Sequence, residues 1–289
     1  MLDDFRPHDL PTGSGARIRA RVGGSGPPVL LLHGWPQTSA MWHRIAPHLA
    51  ATRTVVLADL PGYGDSTAAP GASLSKRAMA AELVEAMEAL GHDRFAVVGH
   101  DRGARCAYRM ALDHPQVVTA LAVLDILPTA DVFARVDATF ALGAWHWFFL
   151  AQPDVPERLI AADPDAFFTG FLRPAGIFDP EAVAHYRAAW RRPEVVRAMG
   201  QDYRAGASID VADDEHDRGT TIDCPTLALW GGGGPVGREP DPLAIWRAWA
   251  PKASGHQLDC GHYLAEEAPE DTLGHLTRFL SSRRGSPPR

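Results

Sequence analysis

The chain has 289 residues, of which 46% are hydrophobic and 22% charged, a composition typical of a folded globular protein with material for a large core. A net charge of -7 without any long basic run argues against nucleic acid as a partner, and no apolar run approaches the roughly 20 residues needed to cross a bilayer. The cysteines Cys106, Cys224 and Cys260 form no C-x-x-C pair, which argues against a disulfide framework and a structural zinc site.

The opening stretch MLDDFRPHDLP carries early acids and no apolar centre, unlike a secretory or transit signal, so a cytoplasmic location is expected. Short apolar runs then follow in order: VLLL (29–32), TVVLA (54–58), FAVV (95–98), LAVL (121–124), TLALW (226–230) and HQLD (256–259). Most are rich in Val and Leu without polar alternation, as strands covered on both faces require. The segment RAMAAELVEAMEAL (77–90) has helix formers and apolar positions at helical spacing, with Gly91 as its stop. Strand, helix, strand alternation predicts an α/β fold, a mostly parallel sheet flanked by helices.

From 127 to 223 this rhythm fails. The stretch is rich in Trp, Phe, Pro and Arg and reads as helices, so it is predicted to be a helical lid (cap) inserted between core segments 1–126 and 224–289. Its aromatics could close a small apolar pocket against one edge of the sheet. The loops GGSGPP (23–28) and GGGG (231–234) lack the Lys and Ser/Thr of a phosphate-binding loop and read as turns.

The segment GHDRG (99–103) follows a strand and opens a helix, with glycines two residues before and after Asp101. That is the spacing of a nucleophile elbow, whose sharp turn excludes side chains at the flanking positions. A helix N-terminus favours an anion there. A carboxylate is a poor nucleophile toward a carbonyl but can displace a leaving group from saturated carbon, forming an ester that water must then cleave with the help of a base. Of 13 histidines, His262 in DCGHYLAEEAP (259–269) is placed best, in a Gly turn past the last strand. Its orienting acid is expected to be Asp125, directly after a strand, in preference to Glu239 or Asp241, which come later in a loop.

These residues, together with LHGWPQ (32–37), ADLPGYG (58–64), GHDRGAR (99–105), LDILP (124–128), HW (146–147), FLAQP (149–153), EAVAHYR (181–187), DYRAG (202–206) and GHYLAEEAP (261–269), make the chain resemble the haloacetate (fluoroacetate) dehalogenases of the α/β-hydrolase superfamily. The HG and PGYG pieces are common to the superfamily, whereas the DRGxR turn with HW and DYRAG is narrow. The resemblance implies Asp101 as nucleophile, His262 as base and Asp125 as its partner. It also implies Arg102 and Arg105 as carboxylate binders, and His146, Trp147 and Tyr203 as halide binders.

It further implies a small anionic haloacid substrate, no metal or organic cofactor, and a homodimer. Arg102 and Arg105, three residues apart on the first helical turn, could both reach the space in front of Asp101 and aim a substrate carboxylate by its fixed geometry. One position departs from the pattern: Trp35 stands where the family usually has Phe. Its backbone N–H is expected to face the reacting centre, while the larger ring narrows the pocket or donates a further hydrogen bond.

Each residue also has a plainer reading. Asp101 could cap a helix, the arginines could form structural ion pairs, Trp145, His146 and Trp147 could be lid core, and Tyr203 one more buried tyrosine. His33 is read as support for its loop. The rival functions are an epoxide hydrolase, which shares the Asp and His but uses lid tyrosines such as Tyr186 and Tyr203, and a non-catalytic receptor for a small acid.

Overall fold

The structure, a computed structural model, describes residues 1–174 and 176–281. Eight strands form one sheet: β1 (Arg6–Pro11), β2 (Arg17–Gly24), β3 (Pro28–Leu32), β4 (Thr54–Ala58), β5 (Phe95–His100), β6 (Val118–Leu124), β7 (Thr226–Gly231) and β8 (Ser254–Leu258). Their order is β1-β2-β4-β3-β5-β6-β7-β8. The last six in that order run parallel, and β2 pairs antiparallel with both β1 and β4.

The six predicted apolar runs are the parallel strands, although β8 starts two residues before the HQLD run. The β1–β2 hairpin was not foreseen from the sequence. Its strands lie at the edge, and RIRARVGG alternates between buried and part-exposed positions, so it lacks the continuous apolar signal of a central strand. The helix expected over 77–90 runs from Lys76 to Ala89, because Ser75 accepts the Ala78 N–H as its N-cap.

Strand order reverses between β3 and β5, so connections leave in opposite directions at their C-terminal ends and open a crevice there. Register brings the key positions to that rim: Leu32 pairs with Gly99, and His100 with Leu124. The Asp101 N–H continues this pairing to the Leu124 carbonyl, and the Asp125 N–H to the Leu229 carbonyl. The loop after β3, the turn after β5 and the turn after β6 therefore converge on one edge of the sheet.

Between β6 and β7 the described residues contain helices and no strand, from Thr129–Phe133 to Ile209–His216. The two longest are Pro180–Trp190 and Pro193–Gly206. Phe168 and Trp190, both wholly buried, stack at 5.2 Å and give this helical layer a core of its own. Among the described residues no helix is long and apolar enough to cross a membrane.

Candidate active site

β5 ends in a turn that only its sequence permits. Asp101 has φ 46° and ψ -118°, a conformation L residues rarely adopt and one that costs about 1–3 kcal/mol. A Cβ on Gly99 would lie 2.5 Å from the Gly103 carbonyl oxygen, and one on Gly103 would lie 2.3 Å from the His33 carbonyl oxygen. Both glycines are thus needed for the helix Arg102–Asp113 to start this close to the sheet. The Asp101 side chain makes no capping hydrogen bond to that helix, which removes the plain helix-cap reading. Instead one of its oxygens accepts the Trp35 backbone N–H at 3.0 Å.

Burial of Asp101 opposes its ionisation, but His262, His100, Arg102 and Arg105 outweigh it and hold the carboxyl below its ordinary value. His262 Nδ1 donates to Asp125 Oδ2 at 2.6 Å, and the other Asp125 oxygen accepts the Gly231 N–H at 3.1 Å. This leaves Nε2 as the ring nitrogen turned away from Asp125. Burial lowers the affinity of His262 for a proton, yet the Asp125 hydrogen bond and charge, with Asp101, raise it overall above its usual value. Burial raises Asp125, and its two donors only partly offset that. Asp241, the rejected alternative partner, caps the helix Pro242–Trp249 through the Ala244 N–H.

The two arginines differ sharply in their surroundings. Nε and Nη2 of Arg102 grip both carboxylate oxygens of Asp202, Nη2 also reaches the Asp202 carbonyl, and the guanidinium lies 4.5 Å over the Tyr203 ring. Lys76 and the Tyr63 hydroxyl donate to the same Asp202, which is fully buried and held at an abnormally low pKa by these cations. Arg105, by contrast, spends Nη1 on the Leu127 carbonyl (3.2 Å) and the Thr129 hydroxyl (2.9 Å), while its buried Nε has no partner among the described residues. Among the described residues no carboxylate makes an ion pair with Arg105. Its guanidinium sits 4.7 Å over the Trp147 ring.

The lid supplies the opposite wall. His146 stacks on Trp35 at 4.9 Å, nearly parallel, and burial pushes its pKa down to about 4, so the ring is neutral near pH 7. Tyr203 stands edge-on to Trp35 at 5.7 Å and to Trp147 at 6.2 Å. Trp35 Nε1 and His146 Nδ1 are both buried without a hydrogen-bond partner among the described residues. The structure thus gathers Trp35, Asp101, Arg102, Arg105, Asp125, His146, Trp147, Tyr203 and His262 around the crevice through direct or shared contacts. His33 bridges Gly34 and Leu60, consistent with loop support.

Residues that sequence reasoning left unassigned complete the surroundings. Asp202 lies in the quoted DYRAG segment, and its place on the apolar stripe of Val195, Val196, Met199 and Tyr203 at helical spacing was a legible sign of a buried ion pair. Glu266, at 1% exposure, accepts from Gln37 and from the Tyr186 hydroxyl (3.1 Å), and burial raises it to about 8. Gln37 sits in the loop that carries Trp35, so this pair braces the donor facing Asp101. Among the described residues no group of three or more His, Cys, Asp or Glu could hold a metal ion.

The family model for the α/β hydrolase fold matches residues 27–269. A fluoroacetate dehalogenase from Burkholderia sp is 45% identical, over 98% of this chain and 96% of its own length. A soluble epoxide hydrolase from Corynebacterium sp. (strain C12) is 31% identical, over 94% and 96% respectively. The crystal structure of ALR0039 from Nostoc sp PCC 7120 superposes with a TM-score of 0.94 at 48% identity, covering 97% of this chain and 99% of that one. With the fold, the elbow and these likenesses in hand, the chain belongs to the α/β-hydrolase fold family and, within it, to the haloacetate dehalogenase group.

Proposed function

We propose that the protein hydrolyses short 2-haloacids, taking haloacetate to glycolate and halide through an ester on Asp101. A carboxylate oxygen of Asp101 attacks the CH2 carbon from behind, the carbon–halogen bond breaks, and halide leaves with the bonding pair. His262, oriented by Asp125, then takes a proton from water as the water attacks the ester carbonyl. The negative oxygen formed at that carbonyl is stabilised by the Trp35 N–H already aimed at it. The adduct collapses as protonated His262 returns its proton to the departing glycolate oxygen, glycolate leaves, and the Asp101 carboxyl releases its proton to solvent to regenerate the carboxylate.

The observation that carries this reading is an ionised elbow Asp, free of capping duty, beside a guanidinium whose Nε is buried with no partner among the described residues. Arg105 offsets the repulsion between Asp101 and an anionic substrate and holds the CH2 carbon in line. Halide release measured across fluoro-, chloro- and bromoacetate, with styrene oxide as control, tests it. Turnover of the epoxide alone would overturn it.

The epoxide reading has the Corynebacterium relative in its favour. Against it, the Tyr186 hydroxyl is fully buried and committed to Glu266, which leaves Tyr203 as the only one of the two lid tyrosines beside Trp35 and His146. A non-catalytic receptor would have no use for a coupled His262–Asp125 pair behind Asp101.

Two expectations follow. His262 must be unprotonated to activate water, and the Asp125 hydrogen bond and charge strengthen its hold on a proton, so ester hydrolysis is lost as falling pH protonates the ring. Alkylation persists further into acid because Asp101 stays ionised below its ordinary 3.8. Rapid quench with mass spectrometry separates the two steps: ester should accumulate at mildly acid pH, and parallel loss of both steps would contradict the assignment.

The second concerns the leaving group. Fluoride needs donors where its charge develops more than chloride does, and Trp147→Phe keeps a ring under Arg105 while removing the indole N–H. Fluoroacetate turnover at saturation should fall by about 2–4 kcal/mol of barrier, with chloroacetate falling much less. Equal losses would make Trp147 a packing residue.

A further inference from the structure

Arg102 and Arg105 look equivalent in sequence, yet their hydrogen bonds set them apart. The Nε–Nη2 edge, which matches a carboxylate oxygen for oxygen, is filled in Arg102 by the protein's own Asp202. In Arg105 the same edge carries a buried Nε with no partner among the described residues, and Nη1 is the anchored nitrogen. What anchors Nη1 therefore decides where that edge points.

The anchor is a chain of buried groups from three elements. Arg105 Nη1 donates to the Thr129 hydroxyl at 2.9 Å, that hydroxyl lies 2.9 Å from the Tyr108 hydroxyl, and the Tyr108 hydroxyl lies 2.8 Å from Asp214 Oδ2. Thr129 and Tyr108 are at most 1% exposed. Proton count fixes the direction. The Arg105 guanidinium has protons only to give, and the Asp214 carboxylate only accepts, so the Thr129 O–H donates to Tyr108 and the Tyr108 O–H to Asp214. Tyr108 also accepts the Thr129 N–H, and Asp214 the Ala130 N–H, which pins both ends to the start of the helix Thr129–Phe133. Trp246 and Trp249 flank the Tyr108 ring at 5.9 and 6.4 Å and fix its plane. Each hydroxyl proton in the chain is used, and each points away from Arg105 toward Asp214.

We propose that Thr129 and Tyr108, braced by Asp214, are positioning residues that aim the Nε–Nη2 edge of Arg105 at the substrate carboxylate. The proposal rests on the haloacid reading above. It gives Arg105 a support of three residues, Thr129, Tyr108 and Asp214, so loss of the support weakens binding of the anion more than the chemistry after binding.

The test is steady-state chloride release from chloroacetate by the parent protein and by Thr129→Val, Thr129→Ser and Tyr108→Phe, with thermal melts to verify folding. Thr129→Val should raise KM about tenfold with kcat kept within about threefold, since misaimed binding acts before the chemical step. Thr129→Ser restores the hydroxyl and should return KM to within about threefold of the parent, and Tyr108→Phe should shift KM in the same direction as valine. An unchanged KM in Thr129→Val, a fall in kcat with KM kept, or serine behaving like valine overturns the relay. No chloride release by the parent protein instead overturns the haloacid reading on which it rests.

Discussion

Arg105→Leu should lower kcat/KM for chloroacetate by about two to three orders of magnitude, because it removes charged hydrogen bonds worth about 1.5–3 kcal/mol each from a dry site. The side chain is 3% exposed, pairs with no carboxylate among the described residues and shares its pocket with the Asp101 charge. An anionic substrate arriving without it meets Asp101 unscreened. Leucine fills the stem's volume, so the loss reports the guanidinium rather than a cavity. Arg191→Leu is the control: that guanidinium is exposed and paired to Asp165 on the lid surface, and its removal should change the kinetics by less than about twofold. Steady-state kinetics on both variants decide the matter. Equal and mild effects would make Arg105 a structural residue.

How much of this was legible before the fold was known differs from residue to residue. The parallel strands announced themselves because both of their faces are covered and their sequences are unbroken apolar runs. The β1–β2 hairpin did not, because an edge pair with one wet face carries Arg and Pro at alternate positions and looks like loop. The elbow was legible at Asp101 because its geometry has a chemical signature: two glycines that backbone atoms would otherwise strike. Asp125 could be preferred over Asp241 from position alone, since strand ends place side chains rigidly, and it is Asp125 that meets His262.

The inequality of Arg102 and Arg105 was not legible. It depends on Asp202, a hundred residues away on the lid, and on Thr129, Tyr108 and Asp214, which meet only when the helix Ile209–His216 folds back onto the helix Arg102–Asp113. Spacing of i and i+3 says that two side chains can reach one region, but not which acid of the same chain already occupies one of them. Trp35 shows the same limit. Its identity could be read as a departure from Phe, but its stacking on His146 is set by lid packing.

The central claim is that halide leaves to an Asp101 ester which only His262 can clear. His262→Ala removes the one side chain that hydrogen-bonds Asp125 on the base side and leaves the Trp35 donor, Arg105 and the elbow untouched. Turnover should fall by at least about a thousandfold, within the range seen when a member of a nucleophile–base pair is removed. The first step, which needs no base, should still run once per active site. Loss of stability is a minor concern because the His262 side chain is a quarter exposed and Asp125 keeps the Gly231 N–H.

The most direct measurement is therefore the intact mass of His262→Ala after mixing with chloroacetate, followed by peptide mapping. The account predicts one added carboxymethyl group per chain, stoichiometric with chloride released and located on Asp101. An unmodified chain under conditions where the parent protein turns over, or a carboxymethyl group on any other residue, would contradict it.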